Sequence, residues 1–389
     1  MFRISRIQEL FAQLPRGGVQ RLVAQTGSDK HCKGFSSWDH LVAMVYAQLS
    51  QARSLRQVEA GFNAQDTHHF HLGTQAVRRS TLADANAKRT PQVFEEVARS
   101  LMSRAERQVR SSCRELLYLL DSTAITLKGL GFDDWTQAHS TRHVQGVKLH
   151  MLYSAQTQAP CWQSITMGNA SDVSQGRTVP LQPGAVYVFD KGYYDYDWWA
   201  RIDRAGAVFV TRYKYNAVLR LQQQLPVPPE AAEVVLADEL VCFANKTPRG
   251  GKRNSYDKAL RRVTVARQGK RALVLATNDL DSPASLIAQR YKERWEVELF
   301  FKWIKQHLDI KRFYGRSENA VRVQILTALI TYLLLRLYHA AHGAKESLWT
   351  FLGELRATLF QRPSVEAKAY RRRRQRQRAW DALQPQLPL

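Results

Sequence analysis

Hydrophobic and polar positions change period along this chain of 389 residues. From the start to about residue 110 the spacing is helical. Ser37 caps a helix from Trp38 through Leu49, and Ser54 with Gln57 makes a capping-box pattern. Ser80 precedes TLADANAKR, and Thr90-Pro91 opens a further helix through Arg104. From Leu116 the period shortens. LLYLL is an apolar run ending at Asp121 and reads as a buried strand. Val147 to Ser154 alternates and reads as a second strand, Cys161 to Gly168 as a third, and Asp172 to about Thr178 as a short helix. Ala185 to Phe189 is another strand, ending at Asp190. Tyr196 to Ala205 is helical with Trp198, Trp199 and Ile202 inward, and Ala207 to Tyr213 is a fifth strand.

A stretch less regular in pattern follows. LQQQLPVPPE reads as a linker, Glu233 to Ala244 as a strand, and Leu260 to Thr277 as a hairpin turning at Gln268-Gly269. Lys246 to Asn254 is a basic, glycine-rich loop. Helical spacing returns at Ser282, which caps, and Pro283, which suits the first helical position; one long helix is expected to His307. Further helices are expected from Glu318 to His342 and from Leu348 to Phe360, followed by the run YRRRRQRQR at 370 to 378. The order is three strands, helix, strand, helix, strand and, after an insertion, a helix.

That is the element order of a ribonuclease-H-like fold, an α/β class with a mixed five-stranded sheet. The expected segments are a helical DNA-binding domain at 1–112, a first part of the core at 113–214, a β-rich insertion at 215–281, a second part of the core at 282–342, and a C-terminal helix with basic tail at 343–389.

Composition narrows the class of partner. Lys and Arg number 57 against 34 Asp and Glu, a net charge of +23. Such an excess points to a polyanion, nucleic acid first and an anionic membrane surface second. The short basic helices carrying Arg53, Arg56, Arg78, Arg79, Lys88 and Arg89 suit a helix-turn-helix-like DNA binder, or equally a bundle with a solvated basic face. The four cysteines are scattered without a CxxC pair, which argues against zinc and fits a reducing compartment. His68-His69-Phe70-His71 lacks spaced partners and reads as a plain loop. The N-terminus is not a signal peptide by pattern. The apolar run Ile325 to Leu335 is too short to span a bilayer. The expected location is cytoplasmic and nucleoid-associated.

The chemistry concentrates on the long helix. Tyr291, Arg294, Glu298 and Lys305 are spaced by three, four and seven residues and fall within about 60° of one another, with Lys302 beside them. The remaining faces are mostly apolar, including Trp295, Val297, Leu299, Phe300 and Phe301, so the helix is expected to be buried. One reading is an Arg294–Glu298–Lys302 surface ladder of ion pairs. The other is a metal-binding Glu among phosphate-holding groups, which needs partner carboxylates. Asp121 and Asp190 each end an apolar strand at a sheet edge, where ligands bind, and Gly192 permits close backbone approach. In the inferred fold the first and fourth strands are neighbours and the Glu298 helix crosses them. Three converging carboxylates repel one another unless divalent cations neutralise them, and hard oxygen ligands select Mg²⁺ or Mn²⁺.

On these residues the chain resembles the DDE transposases of bacterial insertion sequences, in particular the IS-four family. Its signature of Tyr, Arg, Glu and Lys is matched at every spacing by Tyr291, Arg294, Glu298 and Lys305. LLDSTAI carries Asp121 and FDKGYYD carries Asp190 where the family has its two aspartates; FVTRYK, with Arg212 and Lys214, looks like its next strand. The resemblance covers most of the chain and is least specific in the insertion and the tail. It implies an enzyme that binds the terminal inverted repeats of its element as a dimer, cleaves with two metal ions held by Asp121, Asp190 and Glu298, and joins the 3′-OH ends to target DNA. Tyr291, Arg294, Lys305, Lys302, Arg212 and Lys214 would hold phosphates. Some relatives hold a flipped base with a Trp in the insertion; residues 215–281 contain none, which leaves Tyr256 or Phe243 as substitutes. Two rivals remain: a nuclease of the same fold that cuts without joining, and a decayed, non-catalytic DNA-binding repressor.

Overall fold

The computed structural model describes residues 5–110, 115–136, 145–244 and 254–361, with Arg373 and Arg376. The basic loop from residue 246 to 253 and most of the basic tail lie outside the described residues. In chain order the helices are α1 (Arg6–Phe11), α2 (Arg16–Thr26), α3 (Ser37–Ser50), α4 (Leu55–Asn63), α5 (Asp66–Leu72), α6 (Arg79–Lys88), α7 (Gln92–Arg110), α8 (Asp172–Gly176), α9 (Tyr196–Arg204), α10 (Ala284–Glu293), α11 (Trp295–His307), α12 (Glu318–His342) and α13 (Leu348–Ala357). The strands are β1 (Leu117–Thr126), β2 (Gly146–Ser154), β3 (Ala159–Met167), β4 (Val186–Phe189), β5 (Val208–Arg212), β6 (Leu219–Gln224), β7 (Val235–Phe243), β8 (Leu260–Val265) and β9 (Leu273–Thr277).

The chain divides into two compact units, one made of Met1–Ala105 with Ile304–Leu389 and the other of Glu106–Trp303. These divisions differ from the five expected segments: the N-terminal helices share a unit with the C-terminal ones.

In the first unit α12 packs against α1, α3, α6 and α13. Among the described residues α12 is the one helix long and apolar enough to cross a membrane, although the apolar run inside it is short; 89% of its most apolar window is buried inside the protein. Helix α3 is buried from Ser37 through Leu49, held at its start by Ser36, whose hydroxyl accepts the Asp39 N–H. It is a core element, so the exposed basic positions are left to α4 and its lead-in (Arg53, Arg56) and to α6 and its lead-in (Arg78, Arg79, Lys88). Arg89 is used internally, donating to the Phe35 carbonyl at 2.6 Å. Three caps differ from expectation. Helix α3 is capped by Ser36, with the expected cap Ser37 as its first residue. Ser54 accepts from Gln57 N–H, but the Gln57 side chain returns to Arg53 rather than to Ser54. Helix α6 begins before Ser80, with Arg78 in the capping position. The His68–His71 stretch is helical, not a loop; Gly73 at φ +64° ends it.

The second unit is built on one nine-stranded sheet in the order β3-β2-β1-β4-β5-β9-β8-β7-β6. β4 lies parallel to β1 and β5 parallel to β4; every other pairing is antiparallel. The first and fourth strands are therefore neighbours, as expected. The insertion differs: its strands extend the same sheet through β9 on β5. The expected linker overlaps β6, whose side chains are mostly exposed, so its place at the sheet edge comes from the backbone ladder and not from apolar burial. The β8–β9 hairpin turns at Gly269, φ +64°, as its sequence required. β2 is buried along nearly its whole length because both its faces are covered, which its alternation did not suggest. Tyr118, Leu120, Tyr187, Phe189, Trp198, Trp199 and Phe209 fill the core on one face. Helix α10 packs on β4, β5, β7 and β8, and Phe300 of α11 meets Tyr153 of β2 at 5.3 Å between ring centres.

The expected long helix is two. Around Arg294 the backbone tightens: its N–H bonds to Tyr291 O and its carbonyl accepts Val297 N–H, both three residues apart. Pro283 is the capping residue and Ser282 lies outside. The apolar surround is also incomplete, since Trp295 is 57% and Leu299 50% exposed.

Candidate active site

β1 and β4 run paired only as far as Leu120 and Phe189. The next residue on each is an aspartate, Asp121 and Asp190. Asp190 follows the end of β4 and opens a 3-10 turn, Lys191–Tyr193. Asp121 does not end its strand, because β1 continues against β2 to Thr126; what ends there is the pairing with β4. The parting of two parallel strands places the two carboxylates side by side.

Asp190 accepts the Lys191 N–H at 2.7 Å and the Arg212 Nε at 3.1 Å, with Arg212 Nη2 on the same oxygen. Burial pushes its pKa up, but these hydrogen bonds and the charges of Arg212 and Arg294 outweigh that, and the net displacement is downward. Asp121 accepts the Ser122 N–H at 2.8 Å and Arg294 Nη1 at 3.3 Å. Here burial prevails and raises the pKa to about 6, opposed by Ser122 and Arg294 and reinforced by the charges of Glu298 and Asp190. Arg294 Nη2 reaches Glu298 Oε1 at 2.7 Å, so one guanidinium joins Asp121 to Glu298. Its side chain is 14% exposed, which is not the exposed ladder of the first reading. The tightened turn at Arg294 lies between Tyr291 and Glu298. Tyr291 is buried, its ring 5.8 Å from the Arg294 guanidinium. Burial raises its hydroxyl pKa against the nearby charges of Arg212 and Arg294.

The structure thus brings together Asp121, Asp190, Glu298, Tyr291, Arg294 and Arg212. Arg212, expected on phosphate, is engaged by Asp190. Lys214 lies apart, its ammonium 4.7 Å over the Tyr194 ring. Lys302 is exposed, and Lys305 is half-buried on α11 with its pKa lowered by burial and by Lys311. Tyr256 is buried at 4% exposure and Phe243 packs against Tyr196, Trp199 and Tyr213, so neither is presented as a substitute base-holding ring. Gly192 is not needed for close approach: an added Cβ would meet Asp172 Oδ2 at an ordinary 3.7 Å.

A group the sequence reading did not single out lies next to Asp121. Ser122 Oγ donates to Asp172 Oδ1 at 2.9 Å; Lys148 Nζ lies 3.3 Å and His150 Nδ1 3.5 Å from the same oxygen. Nothing in the sequence marks these residues as a set. Their meeting depends on the register that puts His150 opposite Ser122.

The donor set suits a divalent cation. The three carboxylates are hard oxygen ligands, and the raised pKa of Asp121 records a negative charge that burial and two neighbours disfavour and a cation would relieve. Two arginines now supply the positive charge. Among the described residues no three His, Cys, Asp or Glu side chains are drawn close enough to share an ion.

Comparison with known proteins gives the class. A family model described as the transposase DDE domain matches residues 113–334, and one described as a domain of unknown function, DUF4372, matches residues 3–75. The chain is 39% identical over 288 residues to the candidate transposase y4zB of Sinorhizobium fredii, covering 74% of this chain and 78% of the relative. It is 32% identical over 322 residues to the transposase assigned to insertion sequence element IS5377 of Geobacillus stearothermophilus, covering 82% and 80%. A third relative, assigned to element IS4SA of Synechocystis, is 27% identical over 302 residues. The piggyBac transposase, solved as a synaptic complex with hairpin DNA, aligns over 98% of this chain and 86% of that one, with a TM-score of 0.45 and 11% identity. The chain belongs to the DDE transposases. Within them it is of the IS-four type found in bacterial insertion sequences, an enzyme of the metal-dependent, DNA-cleaving and DNA-transferring class.

Proposed function

We propose that this transposase binds the terminal inverted repeats of its own insertion sequence, hydrolyses the phosphodiester at each end, and joins the freed 3′-OH to target DNA. The observation that supports this is Arg294 bridging Asp121 and Glu298 beside the point where the β1–β4 pairing ends, one residue before Asp121 and Asp190. On this reading the core is ribonuclease-H-like, and the three carboxylates would hold two Mg²⁺ or Mn²⁺ ions. The ions would supply charge neutralisation at the scissile phosphate and a lowered pKa for the attacking hydroxyl. Asp190 is kept ionised by Arg212. Asp121 is oriented by the Ser122 N–H, and Glu298 by Arg294. Arg294 can turn from the carboxylates to a phosphate, with Tyr291 beneath it, and Lys305 and Lys302 extend the cationic stripe along α11. Lys214, beyond β5, would meet DNA farther from the chemistry. The exposed arginines beside α4 and α6 would contact the duplex backbone. Two copies would pair the two ends, in the cytoplasm at the nucleoid.

The test is Glu298→Gln. The amide keeps the shape and loses the charge, so end DNA should still shift in a gel while nicking in Mg²⁺ falls on the order of a hundredfold or more. Nicking at the wild-type rate would remove Glu298 from the site. Joining of a labelled 3′-OH end into plasmid separates a transposase from a nuclease that only cuts.

A further inference from the structure

We propose that Asp172 is a positioning residue for Asp121, acting through Ser122. The proposal rests on the reading of Asp121 as a metal ligand. Successive residues of a strand face opposite sides of the sheet. Ser122 therefore turns from Asp121 toward the face on which it meets Asp172, the first residue of α8. Its amide nevertheless stays with Asp121, donating to Oδ1 at 2.8 Å. One residue is thereby fixed at both ends: the hydroxyl to Asp172 at 2.9 Å, the N–H to the carboxylate across the sheet.

Asp172 is itself held. Lys148 Nζ lies 3.3 Å from its Oδ1 and also donates to the Ala170 carbonyl at 3.0 Å, tying the entry of α8 to β2. His150, fully buried opposite Ser122, places Nδ1 3.5 Å from the same oxygen and pairs its Nε2 with Thr166 Oγ1 at 2.9 Å. The second oxygen, Oδ2, faces Gly192 in the turn that follows Asp190. Ser164 Oγ bonds Gln175 Oε1 at 2.8 Å and fixes the other end of α8 to β3. Asp172 thus stands behind the strand bearing Asp121 and the turn leaving Asp190. A carboxylate used only to start a five-residue helix would not need a hydrogen bond from β1 and an ion pair from β2, with a buried imidazole beside them. Such supports behind a metal ligand set its orientation, and their loss typically costs 10- to 100-fold in metal affinity.

The experiment titrates Mn²⁺ into the full-length protein without DNA, following bound ion by electron paramagnetic resonance, and repeats the titration as nicking of end DNA. Ser122→Ala and Asp172→Ala are each expected to raise the Mn²⁺ midpoint about tenfold, with the double variant no worse than either single one. Nicking should return to within a few-fold of wild type at saturating Mn²⁺, with KM for DNA unchanged. Asp172→Asn keeps an oxygen for the Ser122 hydroxyl and should bind Mn²⁺ close to wild type. The proposal is overturned if Ser122→Ala, the mildest change, leaves the Mn²⁺ midpoint where it was. It is also overturned if the two alanine variants add. Glu298→Gln in the same titration tests the underlying metal site separately.

Discussion

At the scale of single residues, the site is a balance between three carboxylates and two arginines. Arg294 spans Asp121 and Glu298; on the proposed reading it would compete for the oxygens that a divalent ion takes. Arg294→Gln should therefore tighten Mn²⁺ binding to the DNA-free protein by roughly tenfold, because a cation leaves the space between two ligands, while end DNA binds more weakly; weaker Mn²⁺ binding would contradict the competition. Asp121 gives a pH dependence with a definite sign. Its folded-state pKa of about 6 lies above the ordinary 3.8. Its contribution to stability is thus fully present below pH 3.8 and is lost as pH rises through 6. At pH 7, without metal, Asp121→Asn should be more stable than wild type by up to roughly 3 kcal/mol. Mg²⁺ should stabilise wild type and not the variant. Urea unfolding with and without chelator measures both.

At the scale of elements, strand pairing and one helix break organise what the side chains can do. The end of the β1–β4 pairing sets the aspartates beside one another, and the tightened turn at Arg294 aims Tyr291, Arg294 and Glu298 inward. Within the insertion, β7 and β8 are tied by Arg261 of β8 on Asp238 of β7, a pair of bonds at 2.7 and 2.6 Å with side chains 7% and 2% exposed. Removing one partner of a buried pair leaves an uncompensated charge. Asp238→Asn should cost about 3–5 kcal/mol in unfolding free energy. Replacing both residues with apolar ones of similar size should recover most of that loss, as chemical denaturation would show. Equal losses in the single and double variants would mean that the strands, and not the pair, carry the effect.

At the scale of the whole molecule, the net charge of +23 dominates encounter with DNA. Log affinity should fall linearly with log salt, with a slope of about −0.9 per phosphate neutralised. Removing the residues after Ser364, which include the basic run at 370–378, should weaken binding to every DNA alike and make the slope shallower. A loss confined to end-specific DNA would instead make the tail a reader of sequence. Fluorescence anisotropy at several salt concentrations decides between them.

The sequence alone made the strands and helices that carry the candidate site legible. Two apolar runs each leading to an aspartate, and a helical spacing of Tyr, Arg, Glu and Lys, are local patterns. Local patterns are legible because strand and helix periods are set by the backbone. The adjacency of β1 and β4 followed from the same succession of elements. Other features depended on contacts between residues far apart in the chain, and only the tertiary structure decided them. An exposed polar stretch became β6 because β7 offered it a ladder. Helix α3, with basic segments after it, became core because α12 packs on it. Ser122, His150 and Asp172, successively 28 and 22 residues apart along the chain, share one cluster because β1 and β2 pair in a single register. A one-residue slip in that register would send Ser122 to another partner, and no periodicity records the difference.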